Sequence, residues 1–243
     1  LNIGMDKILK ILDESNTKAT FFVLGWIAQR HAELIKDLHR RGHEIATHGY
    51  SHNMIYEMSP GIFKEDLKKS ISIIEEIIKD KIIGHRASNF SVVKESLWSL
   101  DIMSECGIRY DASIFPIKHH RYGIPDAERF PHSIDVREGR MKIAEFPCST
   151  IRLLGKNIPF SGGGYFRLMP YQLVKACIKS LNRASKPAMV YLHPWELDPN
   201  QPREKVKWNY RFMHYINLGK TQNKLKKLVK DFSFTTVKDV LGL

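Results

Sequence analysis

Short β-rich apolar runs alternate with helix-period segments along most of this chain, and that alternation is the strongest constraint on its fold. Residues 18–25, KATFFVLG, form one such run, with the unbroken apolar character of a strand buried on both faces. HEIATHG, IIGHRAS, IRYDASIFP, IAEFPCS and PAMVYLHPWEL read as further strands. Between them lie segments with helical spacing. IAQRHAELIKDLHRRG is an amphipathic helix stopped by Gly42. SPGIFKEDLKKSISIIEEIIKD is a long helix with Ser59 as N-cap and Pro60 in its first position. SVVKESLWSLDIMSECG is a helix from an N-cap at Ser91 to Gly107, and MPYQLVKACIKSLNRAS is another. Near the start, MDKILKILDES places Ile8, Leu9, Ile11 and Leu12 on one face. FSFTTVKDVL predicts a last short strand and helical turn, and residues 117–138, rich in Pro, Arg and His, read as irregular. Alternation repeated this often implies a parallel sheet with right-handed crossovers. The length of 243 residues suits one α/β domain, a (β/α) barrel spanning 1–243.

Barrels of this kind carry chemistry at the C-terminal ends of their strands. Four polar residues fall there: His48 after EIAT, Arg86 after IIGH, Asp111 after IRY, and His193 after AMVYL. Their coincidence predicts a shared pocket. His48 and His52 are four apart across a strand end and a short loop, where two imidazoles can meet one divalent metal. The plainer reading is a strand-end histidine bonded to backbone beside an exposed loop histidine, since the chain holds 11 histidines. His193 suits a general acid, or else a satisfied structural histidine. Arg86 suits the orientation of a carboxylate through its fork, or a structural ion pair. In the turn after it, at Asn89 and Phe90, a backbone N–H could face a developing oxyanion. Residues 160–170, FSGGGYFRLMP, lack the GK[ST] ending of a phosphate loop, so their glycines read as close backbone approach or a tight turn. Tyr165, Phe166 and Trp195 are aromatic residues placed for stacking on a sugar, or for core packing.

Composition narrows the classes. Hydrophobic residues make up 43% of the chain, ordinary for a domain with a core. No apolar run approaches the roughly 18 residues of a membrane span, and no secretory signal pattern is present. The chain opens at Leu1 already inside a helical pattern, so the expectation is a missing N-terminal segment, with a lost signal peptide left open. Net charge is +12, and its densest cluster is KTQNKLKKLVK at residues 220–230, read as a surface helix with a solvated basic face or a patch for an anionic polymer. Nucleic acid is not the expected partner. The three cysteines, Cys106, Cys148 and Cys177, fit no zinc ribbon and no CxxC motif, and read as buried free thiols.

The stretches KATFFVLGWIAQRHAELI, GHEIATHGYSH, RYDASIFPIKHHRYGIPDAERFPH, GGGYFRLMPY and YLHPWELDPNQPR together resemble the polysaccharide deacetylases of carbohydrate esterase family four. More narrowly, they look like the branch found with bacterial exopolysaccharide and exosortase gene clusters. The resemblance implies a distorted (β/α) barrel that hydrolyses N-acetyl groups of an amino-sugar polymer with the help of a divalent metal, zinc above all. It assigns His48 and His52 as metal ligands, His193 as general acid, Arg86 as the residue orienting the base, and Asn89 as oxyanion donor. Tyr165, Phe166, Trp195 and Tyr122 become substrate-binding residues of an N-acetylated polysaccharide or oligosaccharide. Gly49 stands where many members have Ser or Thr, and Ser88 replaces a proline. The acidic first motif, which carries the base and the third metal ligand, has no counterpart here: Asp6, Asp13 and Glu14 lie on a helical pattern. The sequence is therefore expected to lack the first strand of the barrel. Cytoplasm and cell envelope both remain open. Two other classes compete with an N-deacetylase: an amidohydrolase of a small non-sugar amide, and a barrel that binds glycan without turnover.

Overall fold

The computed structural model describes residues 1–203 and 208–243. These form two compact units, one of Leu1–Thr17 with Ser149–Phe234, the other of Lys18–Cys148 with Thr235–Leu243. The chain opens with α1 (Asn2–Glu14), β1 (Thr20–Val23), α2 (Gly25–Arg30), α3 (Ala32–Arg40) and β2 (Glu44–Thr47). It continues with α4 (Pro60–Ile78), β3 (Gly84–His85), α5 (Trp98–Glu105), β4 (Tyr110–Asp111), β5 (His132–Val136) and β6 (Met141–Glu145). Then come β7 (Thr150–Leu153), β8 (Lys156–Pro159), α6 (Gly163–Leu168), α7 (Tyr171–Arg183), α8 (Trp208–Tyr215), α9 (Leu218–Asp231) and α10 (Val237–Leu241). No helix among the described residues is long and apolar enough to cross a membrane.

The sheet lies in the unit formed by Lys18–Cys148 and Thr235–Leu243. Its order is β1-β2-β3-β4-β6-β5, parallel throughout except for the antiparallel β5–β6 edge pair. The α/β class and the parallel alternation read from the sequence are thus present. Helix α4 buries Phe63, Leu67, Ser70, Ile71 and Ile74, the spacing of a single apolar stripe. Its start is as the sequence predicts, with Pro60 first and Ser59 accepting from the Ile62 N–H. At the other end of the strands Glu44 is fully buried yet fully used. It accepts from the Tyr110 hydroxyl at 2.8 Å, from the Thr20 hydroxyl at 2.5 Å and from the Lys238 N–H at the start of α10. An ionisable group survives burial only with such partners.

In the unit formed by Leu1–Thr17 and Ser149–Phe234, α1 lies along the turn at Pro194–Leu197, where the Lys7 ammonium donates to the Leu197 carbonyl at 2.9 Å. Helix α9 buries Leu218, Thr221, Leu225 and Leu228. The lysines of this helix are not all solvated. Lys224 donates to the carbonyls of Phe166, Arg167 and Met169 at 2.6–2.9 Å and so caps the C-terminal end of α6.

Six local expectations fail. The helix read across 27–41 is broken at His31, whose φ is −131° and whose carbonyl starts the new helix α3. The helix expected from Ser91 starts only at Trp98. The Ser91 hydroxyl is taken by the Ile55 N–H, and the Ser96 hydroxyl folds back on the Ser91 carbonyl, giving a 3₁₀ turn first. PAMVYLHPWEL is not a strand but an extended segment with one bridge, Gly162 to Tyr191. Its prolines donate nothing to a ladder, and the Met189 N–H goes to the Ser149 hydroxyl. No strand forms at 232–236, where Thr236 instead caps α10. The region 117–138 is not wholly irregular, since β5 occupies its end. The three cysteines are free, but only Cys148 is buried, with Cys106 and Cys177 half-buried.

Replacing Lys224 by Met removes a charged donor from three carbonyls. The expected loss is about 2 kcal/mol in urea unfolding, whereas Lys226→Met on the same helix should change stability by less than about 0.5 kcal/mol.

Candidate active site

The strand ends of the sheet fall in register. Thr47, His85, Asp111 and Glu145 are successive neighbours across β2, β3, β4 and β6. One residue further on, His48 donates its N–H to Val23, Arg86 to Thr47, Ala112 to His85 and Phe146 to Asp111. His48 and Arg86 therefore leave the sheet at adjacent positions. The Nδ1 of His48 lies 2.6 Å from the Arg86 carbonyl. A carbonyl only accepts, so Nδ1 carries the proton and Nε2 keeps its lone pair. Burial, with the neighbouring His52 and His85 adding to it against the Arg86 hydrogen bond, lowers the His48 pKa to about 3. The ring is neutral at any physiological pH, the form that binds metal.

The loop from His48 to His52 is held by helix α4. Asp66 accepts from the N–H groups of Tyr50 at 2.7 Å and Ser51 at 3.1 Å, and from the Ser51 hydroxyl at 2.5 Å. The Gly49 carbonyl accepts from the Gly25 N–H and the Ser70 hydroxyl, both at 2.9 Å. Gly49 has φ +76°, and a Cβ there would stand 3.0 Å from Asp66, which explains a glycine at this place. The exposed His52 has φ +61°, and its ring centroid is 5.3 Å from that of His48. Both features of the plainer reading are present, a backbone-bonded strand-end histidine and an exposed loop histidine. The backbone bond uses only Nδ1, however, and fixes the tautomer that a metal ligand needs. The two imidazoles fit a divalent cation in donor type and proximity. Among the described residues no group of three His, Cys, Asp or Glu side chains is arranged to hold one, so the ligand set here is incomplete.

Arg86 is buried. Its Nε donates to the Ala112 carbonyl at 2.9 Å, and its guanidinium lies 4.3 Å from the Phe22 ring centroid and 5.8 Å from that of Phe90. Asn89 follows, itself exposed, in a 3₁₀ turn, with φ +51° there and +55° at Phe90. Two consecutive left-handed residues without glycine are costly and mark an over-determined turn. Asp111 stands at its strand end as expected but opens on no pocket. It is fully buried, bonded to His85 Nδ1 at 2.8 Å and to the Ser113 hydroxyl at 2.6 Å. Tyr122 has its ring stacked on both His119, at 3.9 Å, and Phe115, at 5.9 Å.

His193 belongs to the unit formed by Leu1–Thr17 and Ser149–Phe234. Its side chain is half-exposed, and Nδ1 lies 2.8 Å from Glu196 Oε1, which also accepts the His193 N–H at 2.9 Å. Glu196 is a residue the sequence reading missed. Pro194 at the first position of the 3₁₀ turn brings residues three apart onto one side, so H-x-x-E was the available signal. Glu196 also pairs with the buried Arg167, whose guanidinium donates further to the carbonyls of Met213, His214 and Ile216. Burial pushes the Glu196 carboxyl up, but the His193 hydrogen bond and the Arg167 charge outweigh it and hold it below the usual range. It is an ionised partner for His193 Nδ1. Trp195 stacks on His214 at 4.0 Å and lies 5.6 Å from the His193 ring, while Tyr165 is half-buried. Phe166 is corrected: its ring is fully buried in α6, with the Lys224 ammonium 5.6 Å away, and offers no face to a sugar. The glycine run is a close approach, since a Cβ on Gly162 would fall 2.1 Å from a Tyr191 ring carbon.

The family profile for polysaccharide deacetylase matches residues 3–110, and the profile described as a domain of unknown function, DUF3473, matches residues 112–242. The chain carries a polysaccharide deacetylase domain followed by a DUF3473 region. A peptidoglycan-N-acetylglucosamine deacetylase of Bacillus cereus is 28% identical over 120 residues, 43% of this chain and 42% of that protein. The chain thus spans about two fifths or less of the length of the first curated relatives it matches. Among solved structures, a probable polysaccharide deacetylase from Pseudomonas aeruginosa PAO1 superposes with a TM-score of 0.66 at 17% identity, over 98% of this chain and 71% of that one. A CE4 family pseudoenzyme from Bacillus anthracis gives 0.52 at 14% identity, over 98% and 60%. These likenesses show the fold, that of barrel-like deacetylases.

Glu196 neutralises a buried arginine as well as holding His193. Glu196→Gln should therefore cost about 3 kcal/mol, because it leaves Arg167 desolvated and unpaired, while His193→Ala should cost under about 1 kcal/mol. Denaturant midpoints of the two variants check the difference.

Proposed function

We propose that this chain hydrolyses N-acetyl groups from amino-sugar residues of a polysaccharide or oligosaccharide, releasing acetate and leaving a free amine. The observation that carries the reading is the half-exposed imidazole of His193 seated on an ionised carboxylate, in a member of the deacetylase family. An imidazole so held presents Nε2 outward, and when protonated it would donate to the leaving sugar nitrogen as the C–N bond breaks. Glu196 fixes the ring and its tautomer, and Arg167 keeps Glu196 charged. The N–H in the Asn89 turn would bind the oxyanion that develops on the acetyl oxygen. Arg86 acts through the backbone, its carbonyl fixing the tautomer of His48. His48 and His52 would hold a divalent cation, zinc by its fit to imidazole, and that ion would polarise the acetyl carbonyl and acidify water. Trp195 and Tyr165 are the aromatic residues left to stack on sugar, with Tyr122 at the half-buried His119 stack. An exopolysaccharide is the substrate class that the sequence branch favours.

A second reading, glycan binding without turnover, is favoured by one specific observation. No third ligand joins His48 and His52 among the described residues, and catalytic zinc commonly has three.

Incubation with an N-acetylglucosamine oligomer and zinc should release acetate, and His193→Ala should slow this by about 100-fold or more while zinc content stays unchanged. The double variant His48→Ala/His52→Ala should lose bound zinc in elemental analysis. Equal zinc in both proteins would remove the metal site, and oligomer binding without acetate would establish the second reading.

A further inference from the structure

We infer that Asp111 and Glu145 share a single proton and, as a pair, position the turn that carries Asn89. The importance of that turn rests on the reading proposed above. The pairing rests on geometry alone. The two residues are register neighbours on β4 and β6, and both are fully buried. Each carboxyl commits one oxygen to protein donors. Asp111 Oδ1 accepts from Ser113 at 2.6 Å and lies 2.8 Å from His85 Nδ1, and Glu145 Oε1 accepts from the Ile114 N–H at 2.9 Å. The other two oxygens, Asp111 Oδ2 and Glu145 Oε2, are buried and find no donor among the described residues. Two adjacent buried carboxylates cannot both be charged, and two orphaned oxygens are both satisfied by one O–H between them.

The surroundings select Glu145 as the site of the proton. Burial, and then the negative charge of Asp111, push the Glu145 carboxyl well above its usual range, against the Ile114 N–H and the Arg86 charge. The charged or titratable groups facing the pair are His85 on β3, Arg86 just beyond it, and Cys148 after β6. Burial pushes the Cys148 thiol up to about 12, so it stays neutral. Helix α4 brings the ring of Phe63 to 6.1 Å from that of His85.

The pair reaches the Asn89 turn through Ser113. The Ser113 hydroxyl donates to Asp111 and accepts the Ala87 N–H at 2.7 Å. Ala87 joins Arg86 to the 3₁₀ turn at Ser88–Phe90. On its other side the pair holds Ile114, whose carbonyl accepts the Cys148 N–H. Asp111 and Glu145 are thus positioning residues that tie the loops after β3, β4 and β6 to one another.

The test is Glu145→Gln, whose amide N–H replaces the shared O–H in the same shape. Infrared spectra at neutral pH should show a protonated-carboxyl C=O band in the parent protein that is absent in the variant. The sign of the stability effect follows from the raised folded pKa. The stabilisation from a protonated Glu145 is complete below its unfolded pKa and is lost as pH rises toward the folded value. Glutamine has no such loss, so the Tm of the variant should gain on the parent steadily from roughly pH 5 to pH 8. No band and parallel Tm curves would overturn the shared proton. For the positioning role, Ser113→Ala should speed amide hydrogen exchange at Ala87, Ser88 and Asn89, while Glu145→Gln leaves it unchanged. Unaltered exchange in Ser113→Ala would overturn it. None of these readouts uses acetate release, so failure of the deacetylase reading and failure of the pair are separately visible.

Discussion

The register of the parallel ladder between β2, β3, β4 and β6 decides where the chemistry-bearing side chains of the sheet stand. Parallel strands joined by helices have no freedom to slip, because a one-residue shift turns every side chain to the opposite face. With Thr47 beside His85, and His85 beside Asp111, His48 and Arg86 necessarily emerge together one step later. The 2.6 Å bond from His48 Nδ1 to the Arg86 carbonyl is the product of that register. It sets the tautomer of His48 with a backbone atom, which no side-chain substitution removes. Helix α4 completes the arrangement from outside the sheet, with Ser70 and Asp66 pinning the backbone of Gly49, Tyr50 and Ser51.

Two buried acidic sites in the chain are solved in opposite ways. Glu196 stays ionised because Arg167 cancels its charge, while three carbonyls accept from other guanidinium donors. Among the described residues no ion pair is formed by Glu145, and a carboxylate stands beside it instead. Protonating an ordinary carboxyl of pKa 4.5 at pH 7 costs about 3.4 kcal/mol. Leaving two like charges about 4 Å apart costs about 4 kcal/mol even at an effective dielectric of roughly 20, before either is desolvated. Desolvation adds several kcal/mol more for each ion. The proton is the cheaper solution, and it supplies a donor that the pair otherwise lacks.

What the sequence disclosed was set by how local each determinant is. His48, Arg86, Asp111 and His193 were visible as polar residues after apolar runs, and the first three do end strands of the sheet. The facing of Asp111 was not visible, since only the neighbouring strands reveal that its carboxyl turns to His85 and Glu145. Glu196 was missed although its spacing from His193 is local, because PAMVYLHPWEL read as strand, in which residues three apart point to opposite faces. Phe166 was misjudged because a run of three glycines hides the short helix α6 that buries it. The proposed metal pair was visible as two histidines, while the orientation of His48 needed a carbonyl 38 residues away.

The assembly around His193 bears on what kind of protein this is. A surface that only binds glycan needs an aromatic face, such as that of Trp195, and hydrogen-bonding groups around it. It has no use for a desolvated arginine whose charge holds a second buried group ionised. Buried ion pairs of this kind are replaceable by apolar side chains without loss of stability, and often with a gain. A folding role is therefore a weak reason for Arg167 and Glu196 to be where they are. Holding one nitrogen of a half-exposed imidazole against a fixed negative charge is a strong one, because it leaves the other nitrogen free to carry a proton to a substrate. The same logic separates the two histidine sites. His48 is kept neutral by burial and by a backbone acceptor, as a ligand must be, whereas His193 is offered a carboxylate and solvent, as a proton donor must be.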